Sequence, residues 1–487
     1  MKFNKIQIAV LLVVVIALGF TGAYFGVHFA QKNGTAQTQS ALSKTEDPVT
    51  EEEVQAPEEL QKVAQAYSLI KKHYVKKVDD DKLMEGAIKG MLSTLDDPYS
   101  TYMDKDTMEQ FNEQIESSFE GIGAEVSMKN GKVTIVSPIK DSPAEKAGLR
   151  PNDQVLKVDG KSLDGLDLNE AVAKIRGKKG TTVKLDIKRP GSSDTMKFNV
   201  KRDTIPVETV YSEVKNQGGK KTGVIQLTSF SEHTADEFKD QLTKLEKQGI
   251  DGLVIDVRGN PGGLLDAVGE ILNNFIPSDS PYVQIENREG QKEKMYTELD
   301  KKKPYPIDVL IDEGSASASE ILAIAMKENG YQTVGTKSFG KGTVQQAVPM
   351  GDGSTVKLTF FKWLSPKGNW IHKKGVSPSL KVEQPAYYFA NPIEAKKPLT
   401  YDQTSEKIKN AQIMLSGLGY TTDRQDGYFD KQTAQAVKAF QKKHKLTQTG
   451  KIDEKTAGLL QTDIIEKIRS KKDDKQLQKA LQLVYSK

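Results

Sequence analysis

A chain of 487 residues is long enough for several domains, and 37% hydrophobic with 28% charged residues is ordinary globular composition. The net charge of +4 comes without a dense basic stripe or interleaved aromatics, so nucleic acid is not an expected partner. Cysteine is absent, which excludes disulfides, a thiol nucleophile and any cysteine-ligated metal. The histidines, His28, His73, His233, His372 and His444, form no His-x-x-x-His pair; a metal is not expected, and a Ser-His-Asp triad finds little support.

Residues Ile6 to Gln31 contain no Asp, Glu, Lys or Arg. As a helix they would span about 39 Å at roughly 1.5 Å per residue, more than the ~30 Å of a bilayer core. Lys2, Lys5 and the terminal amine precede the run, and the positive-inside rule then leaves the rest of the chain outside the cell. A cleaved signal peptide is the competing reading. The length of the run and the lack of an Ala-x-Ala site after it favour an uncleaved anchor. Residues 1–32 thus read as a cytoplasmic stub and single-pass signal anchor, and 33–58 as a flexible acidic tether to an extracytoplasmic protein.

Residues 59–117 are predicted helical. Leu60, Val63, Tyr67, Ile70 and Tyr74 recur at helical spacing, and Leu83, Met84, Ile88, Met91 and Leu95 repeat it before Asp96-Asp-Pro-Tyr99. Such faces pack on a core, on each other or in a homodimer through the terminal helices.

From 118 to 203 the pattern turns to short strands. Gly121-Ile-Gly-Ala124, Ser142-Pro-Ala-Glu-Lys-Ala-Gly-Leu149 and Asp153-Gln-Val-Leu-Lys-Val-Asp-Gly160 resemble a PDZ domain. The resemblance implies that a peptide adds a strand to the sheet edge while Gly121, Ile122, Gly123 and Ala124 offer backbone N–H groups to its terminal carboxylate. Asn152 stands where relatives often carry glycine, which asparagine's tolerance of left-handed backbone permits. Arg176 ends the peptide-flanking helix Leu168 to Ile175; it either reaches the carboxylate or is a solvated helix-end cation.

Residues 204–395 read as the next domain, in which Gly223 to Val376 alternates strand and helix, an α/β core. Gly252 to Val257 is a buried strand and Leu264 to Leu272 a helix, joined by Arg258-Gly-Asn-Pro-Gly-Gly263. That loop is a tight turn or half of an oxyanion hole, with N–H groups from Gly262, Gly263 and Ala318. Asp312-Glu-Gly-Ser-Ala-Ser-Ala-Ser-Glu-Ile321 reads as a strand-to-helix turn, and Ser317-x-x-Glu320 is a capping box that starts a helix, where a nucleophile would gain free N–H donors and the positive dipole end. Ser338-Phe-Gly-Lys-Gly-Thr-Val-Gln345 follows. A buried lysine with a depressed pKa can deprotonate a serine, and Lys341 and Gln345 share a face if the segment is a regular strand.

These segments, together with Asp97-Pro-Tyr-Ser-Thr-Tyr102 and Trp363 through Pro378, resemble the C-terminal processing peptidases, or tail-specific proteases. The resemblance implies a crotonase-like fold, Ser317 as nucleophile, Lys341 as base, Gln345 as its orienter, and no cofactor. The two tryptophans, Trp363 and Trp370, read as packing residues.

Residues 404–461, with Ile408, Ala411, Leu415, Leu418, Ala436, Val437, Phe440, Ala457 and Leu460, resemble a three-helix peptidoglycan-binding domain. Residues 462–487 read as a charged helix suited to packing on another helix. The expected protein is therefore a multidomain α+β, membrane-anchored serine endopeptidase. Its partners would be polypeptides with free C-termini and peptidoglycan. A non-catalytic PDZ and wall-binding scaffold is the alternative, and it has no use for Ser317, Lys341 and Gln345. An acyl-CoA enzyme of the same fold would meet no acyl-CoA outside the cell.

Overall fold

The computed structural model describes residues 58, 60–129, 131–192 and 194–485. The apolar run Ile6–Gln31 lies outside them; among the described residues no helix is long and apolar enough to cross a membrane. The chain forms two compact units, one ending at Ala87 and one starting at Ile88. In the first, the predicted periodicity produces the helix Leu60–His73, none of whose residues is buried. Leu60, Val63 and Ile70 on its apolar stripe are each about two-fifths exposed. A second helix, Asp80–Ser93, starts with Asp80 and Asp81 beside the positive end of its dipole.

In the second unit the PDZ-like region is a sheet in the order Ala124–Lys129, Lys132–Pro138, Gln154–Val158, Thr182–Lys188 and Thr195–Lys201, with Lys161–Ser162 paired to the third strand. Ala124–Lys129 is its edge strand. Asn152 sits at φ 68°, the left-handed geometry expected of it. Two short strands, Ser118–Gly121 and Asp203–Pro206, pair and close the region.

The core holds a six-stranded sheet in the order Val210–Gln217, Lys220–Leu227, Gly252–Asp256, Ile307–Ile311, Gln332–Gly335 and Leu380–Lys381. The first pair is antiparallel and the rest parallel. Central parallel strands are covered on both faces, which is why Gly252–Asp256 and Ile307–Ile311 are buried at every position. One face, with Leu253, Ile255, Val309 and Ile311, packs under helices Thr234–Lys247, Leu265–Leu272 and Ala318–Glu328. Alternate residues, Val224, Val254, Leu310 and Val334, point the other way. A second sheet pairs Thr355–Leu364 with Thr343–Pro349, Pro281–Glu286 and Thr101–Met103. The segment after Asp97-Pro-Tyr99 thus enters the core as a strand.

The C-terminal module is built on helices Glu406–Gly417, Lys431–Lys443 and Glu454–Arg469. Ser405, Asp430 and Asp453 cap them by accepting the N–H three residues on. The predicted core positions Ile408, Ala411, Leu415, Val437, Phe440 and Leu460 are buried together, and Tyr387, Ile393 and Ala395 join them. Residues 387–395 thus pack on the module from outside its expected start at 404, and its third helix, Glu454–Arg469, continues past 461. The tail also departs from expectation. Its helix Lys475–Leu483 packs on the parallel sheet, where Leu477, Ala480 and Leu481 cover the second face.

Candidate active site

The strand Ile307–Ile311 leads into a turn that ends at Ser317, immediately before the helix Ala318–Glu328. Ser317 takes φ 53° and ψ −115° and is half-buried. A non-glycine residue there stores of order 1–3 kcal/mol of strain, held only because the surroundings over-determine it. Its neighbours do that work. The Ser315 hydroxyl donates to the Val257 carbonyl at 2.8 Å, and the Ser319 hydroxyl to the Asn260 carbonyl at 2.9 Å. Ala316 N–H also bonds Asn260 O, and Gly259 N–H bonds Asp312 Oδ1. The serine run and the Arg258–Gly263 loop are thereby knitted into one piece through the Ser315 and Ser319 side chains.

Glu320, fully buried, is more than a helix cap. Its Oε2 accepts from Ser317 N–H at 2.9 Å and from Lys341 N–H at 2.8 Å. Its Oε1 accepts from the Ser338 hydroxyl at 2.6 Å and from Gly340 N–H at 2.7 Å. One carboxylate thus makes the serine turn and the lysine segment direct neighbours.

Lys341 is half-buried, and its Nζ lies 4.9 Å from the centre of the Tyr99 ring. Burial is the main cause that holds its pKa below the usual lysine range; the Lys357 charge acts in the same sense, against Asp97 and Glu320. Trp363 is fully buried, whereas Trp370 is exposed, and both bond the base segment: Trp363 Nε1 donates to Lys341 O and Trp370 Nε1 to Gly342 O, both at 2.8 Å. His372 stacks on Trp370, and burial with the nearby Lys373 charge lowers its pKa.

Gln345 lies in the strand Thr343–Pro349, but Lys341 precedes that strand and a bulge falls between Val344 and Gln345. The residue that the bulge adds is Phe360 on the partner strand, between Thr359 and Phe361, so it shifts the pairing of Gln345 and leaves the alternation along its own strand intact. The Gln345 amide donates to Thr343 and Thr359, each at 3.0 Å, and Thr359 donates to Asp97 at 2.6 Å. Sequence reasoning gave Asp97, Tyr99 and Thr359 no role in this site. The Asp97-Pro-Tyr99 motif was the available signal.

The expected oxyanion donors also need correction. Gly262 N–H donates to Asn260 Oδ1 at 2.8 Å, so its hydrogen is already spent inside the loop. Gly262 has a packing role: a Cβ there would lie 2.8 Å from Ser317 Cβ and 2.9 Å from Ala318 N. Gly263 is exposed, and Ala318 is the first helical residue, whose N–H has no partner within the helix.

In the PDZ-like region Gly121 ends one strand and Ala124 starts the edge strand, with Ile122 buried between them. The Ile122 and Gly123 carbonyls accept from Ala144 and Ile139 N–H, fixing the loop. Gly123 has φ 72°, and a Cβ on it would come 2.4 Å from Ser142 Cβ. Arg176 ends its helix as expected but is not a free helix-end cation. It pairs with Glu113 of the helix Lys105–Ile115 at 3.0 Å and lies 4.7 Å from the Phe119 ring.

Family models match four stretches of the chain. They are the activating protease CtpB N-terminal domain over residues 16–107, a PDZ domain over 134–189, peptidase family S41 over 221–382, and a putative peptidoglycan binding domain over 404–460. The chain is 51% identical to carboxy-terminal processing protease CtpB of Bacillus subtilis (strain 168), over 99% of each chain. It is 48% identical to carboxy-terminal processing protease CtpA of the same organism, over 86% of this chain and 89% of that one. A probable CtpA-like serine protease of Staphylococcus haemolyticus is 39% identical over 98% of this chain and 92% of its own.

Proposed function

The chain belongs to peptidase family S41 as a serine-type carboxy-terminal processing protease, and we propose that Ser317 and Lys341 are its catalytic pair. The neutral Lys341 amine takes the Ser317 hydroxyl proton as that oxygen attacks the scissile carbonyl. Gly263 and Ala318 N–H groups stabilise the resulting oxyanion. Lys341 then protonates the leaving amine, and water, deprotonated by the same lysine, releases the acyl group. Gln345, held by Thr343 and Thr359, lines the base. The observation that carries this reading is the single Glu320 oxygen shared by the Ser317 and Lys341 N–H groups. Incubating the enzyme with an unstructured protein, wild type beside Ser317→Ala, tests it. Cleavage by the wild type alone is expected, and equal cleavage by both would refute it.

The PDZ region selects polypeptides by their free C-termini. Support comes from the edge strand Ala124–Lys129 and the fixed turn at Ile122 and Gly123. The 118–206 fragment should bind peptides with free apolar C-termini more tightly than their amides. A charge-assisted hydrogen bond is worth about 1.5–3 kcal/mol, or roughly ten-fold or more in Kd. Equal titration by acid and amide would remove carboxylate capture.

Residues 6–31 anchor the protease in the cell membrane with its catalytic part outside, and the C-terminal module holds it near the wall. Since the anchor already confines the enzyme, weak affinity is enough. The 385–470 fragment, which contains the module's core, should sediment with purified peptidoglycan; failure to do so would leave the module a packing role. The exposed stripe Leu60, Val63 and Ile70 is the surface for a second copy; the C-terminal helix, spent on the sheet, is not.

A further inference from the structure

The C-terminal helix Lys475–Leu483 covers the sheet, and its first turn also reaches the residue that opens the oxyanion loop. Arg258 follows the strand Gly252–Asp256 and begins Arg258-Gly-Asn-Pro-Gly-Gly263. Its Nε and Nη2 bond the two Asp256 oxygens at 2.9 and 2.7 Å. Its Nη1 and Nη2 bond the two Asp474 oxygens at 2.8 Å each, and Nη1 also meets Gln476 Oε1 at 3.0 Å. The side chains of Arg258, Asp256 and Asp474 are only 13%, 3% and 5% exposed. Asp474 Oδ1 also caps its own helix through Leu477 N–H and accepts from Gln384. Gln476 is tied in turn to the Val382 carbonyl.

Two forked carboxylates on one planar guanidinium leave it a single orientation. Asp256 alone sits two residues from Arg258 and moves with it. Asp474 comes from a separate element that is locked to the far face of the sheet by Leu477, Ala480 and Leu481. It therefore references the loop to the rigid body of the core. We propose that Asp474 and Gln476 are positioning residues of the active site: through Arg258 they set the Gly259–Gly263 loop at the place where Gly263 N–H meets the oxyanion. The next residue back, Asp473, bonds Tyr387 and Lys467 of the C-terminal module, so the joint between module and core is part of the frame of the site.

The inference rests on the reading of Ser317 as nucleophile with Gly263 and Ala318 as oxyanion donors. Its test is kinetic, on the full chain. Asp474→Asn keeps the side-chain volume and an effective helix cap but removes the charge facing Arg258. A loop displaced by a fraction of an ångström should lower kcat by about ten-fold or more, with KM changed by less than about two-fold. Affinity for a peptidyl boronic acid, whose tetrahedral adduct places an anionic oxygen in the hole, should fall by the same factor as kcat. Asp474→Glu should recover most of both. Gln476→Leu should show a smaller loss of the same pattern, and it carries the test if Asp474→Asn does not fold.

A folded Asp474→Asn with wild-type kcat and boronate affinity would overturn the proposal. So would a loss confined to KM, or one that only tracks the folded fraction in thermal unfolding. Ser317→Ala, assayed alongside, separates the two levels. If it is inactive while Asp474→Asn is normal, only the positioning role falls. If it cleaves like wild type, the serine reading falls as well.

Discussion

Lys341→Arg is expected to abolish proteolysis, because arginine keeps the charge and the reach but cannot deprotonate to serve as a base. Loss of a group that acts as a unit with its nucleophile costs of order 10⁴–10⁶ in kcat, and Ser317→Ala should lose as much. Near-normal turnover by Lys341→Arg would sink the lysine-base mechanism. The pH dependence gives an independent reading. The active form is the neutral amine, so kcat/KM should rise with pH through the depressed Lys341 pKa and then level. No step should appear near the histidine value of about 6.5. Lys357 helps to depress that pKa; Lys357→Gln should therefore shift the rise to higher pH while the plateau stays within reach of wild type. An unmoved profile would mean that burial alone sets the lysine. Ser315→Ala and Ser319→Ala are the controls. Each loses a buried strut to the Val257 or Asn260 carbonyl, a cost of about 1–2 kcal/mol in stability, but both should retain substantial turnover when folded. A dead, folded Ser315→Ala would move the nucleophile to that residue.

Glu320→Ala should be the most damaging substitution outside Ser317 and Lys341 themselves. It leaves four donors, Ser317 N–H, Lys341 N–H, Gly340 N–H and the Ser338 hydroxyl, without an acceptor in a fully buried site. Each unsatisfied group costs roughly 1–3 kcal/mol, so the sum is a large part of a typical stability of about 5–15 kcal/mol. A marked fall in Tm is expected, and the residual folded enzyme should be slow, because the strained turn at Ser317 and the lysine segment lose their common reference. Glu320→Gln keeps the shape but turns an amide NH₂ toward two of the donors. It should be intermediate in Tm and still lose about 10² in kcat, the scale of a misplacement near 1 Å. Thermal unfolding and turnover of both variants check this; wild-type behaviour of Glu320→Ala would remove the carboxylate from any account of the site.

The residue pattern was a reliable guide wherever the cause is local. Three- and four-residue periodicity placed the helices Leu60–His73, Asp80–Ser93 and Glu406–Gly417, while the family resemblances supplied Leu168–Ile175 and the other helices of the C-terminal module. The continuous apolar run marked the buried strand Gly252–Asp256, and Asn152 stood ready for its left-handed turn. Serine, lysine and glycine motifs pointed to one site because this chemistry needs few residue types, and those types lie in short segments. Which groups those residues bond was decided by packing over long distances. Tyr99 and Asp97 reach the lysine pocket from the turn before the strand Thr101–Met103, and Thr359, the partner of Asp97, lies 262 positions away. One bulge on the neighbouring strand set Gln345 opposite Thr359, and Asn260 claimed the Gly262 N–H. The tail's apolar stripe announced burial but not its partner. It found the face of the parallel sheet left bare by Val224, Val254, Leu310 and Val334. Periodicity encodes which side of an element leaves water; the identity of the surface it meets, and of each hydrogen-bond acceptor there, exists only once the sheet has assembled.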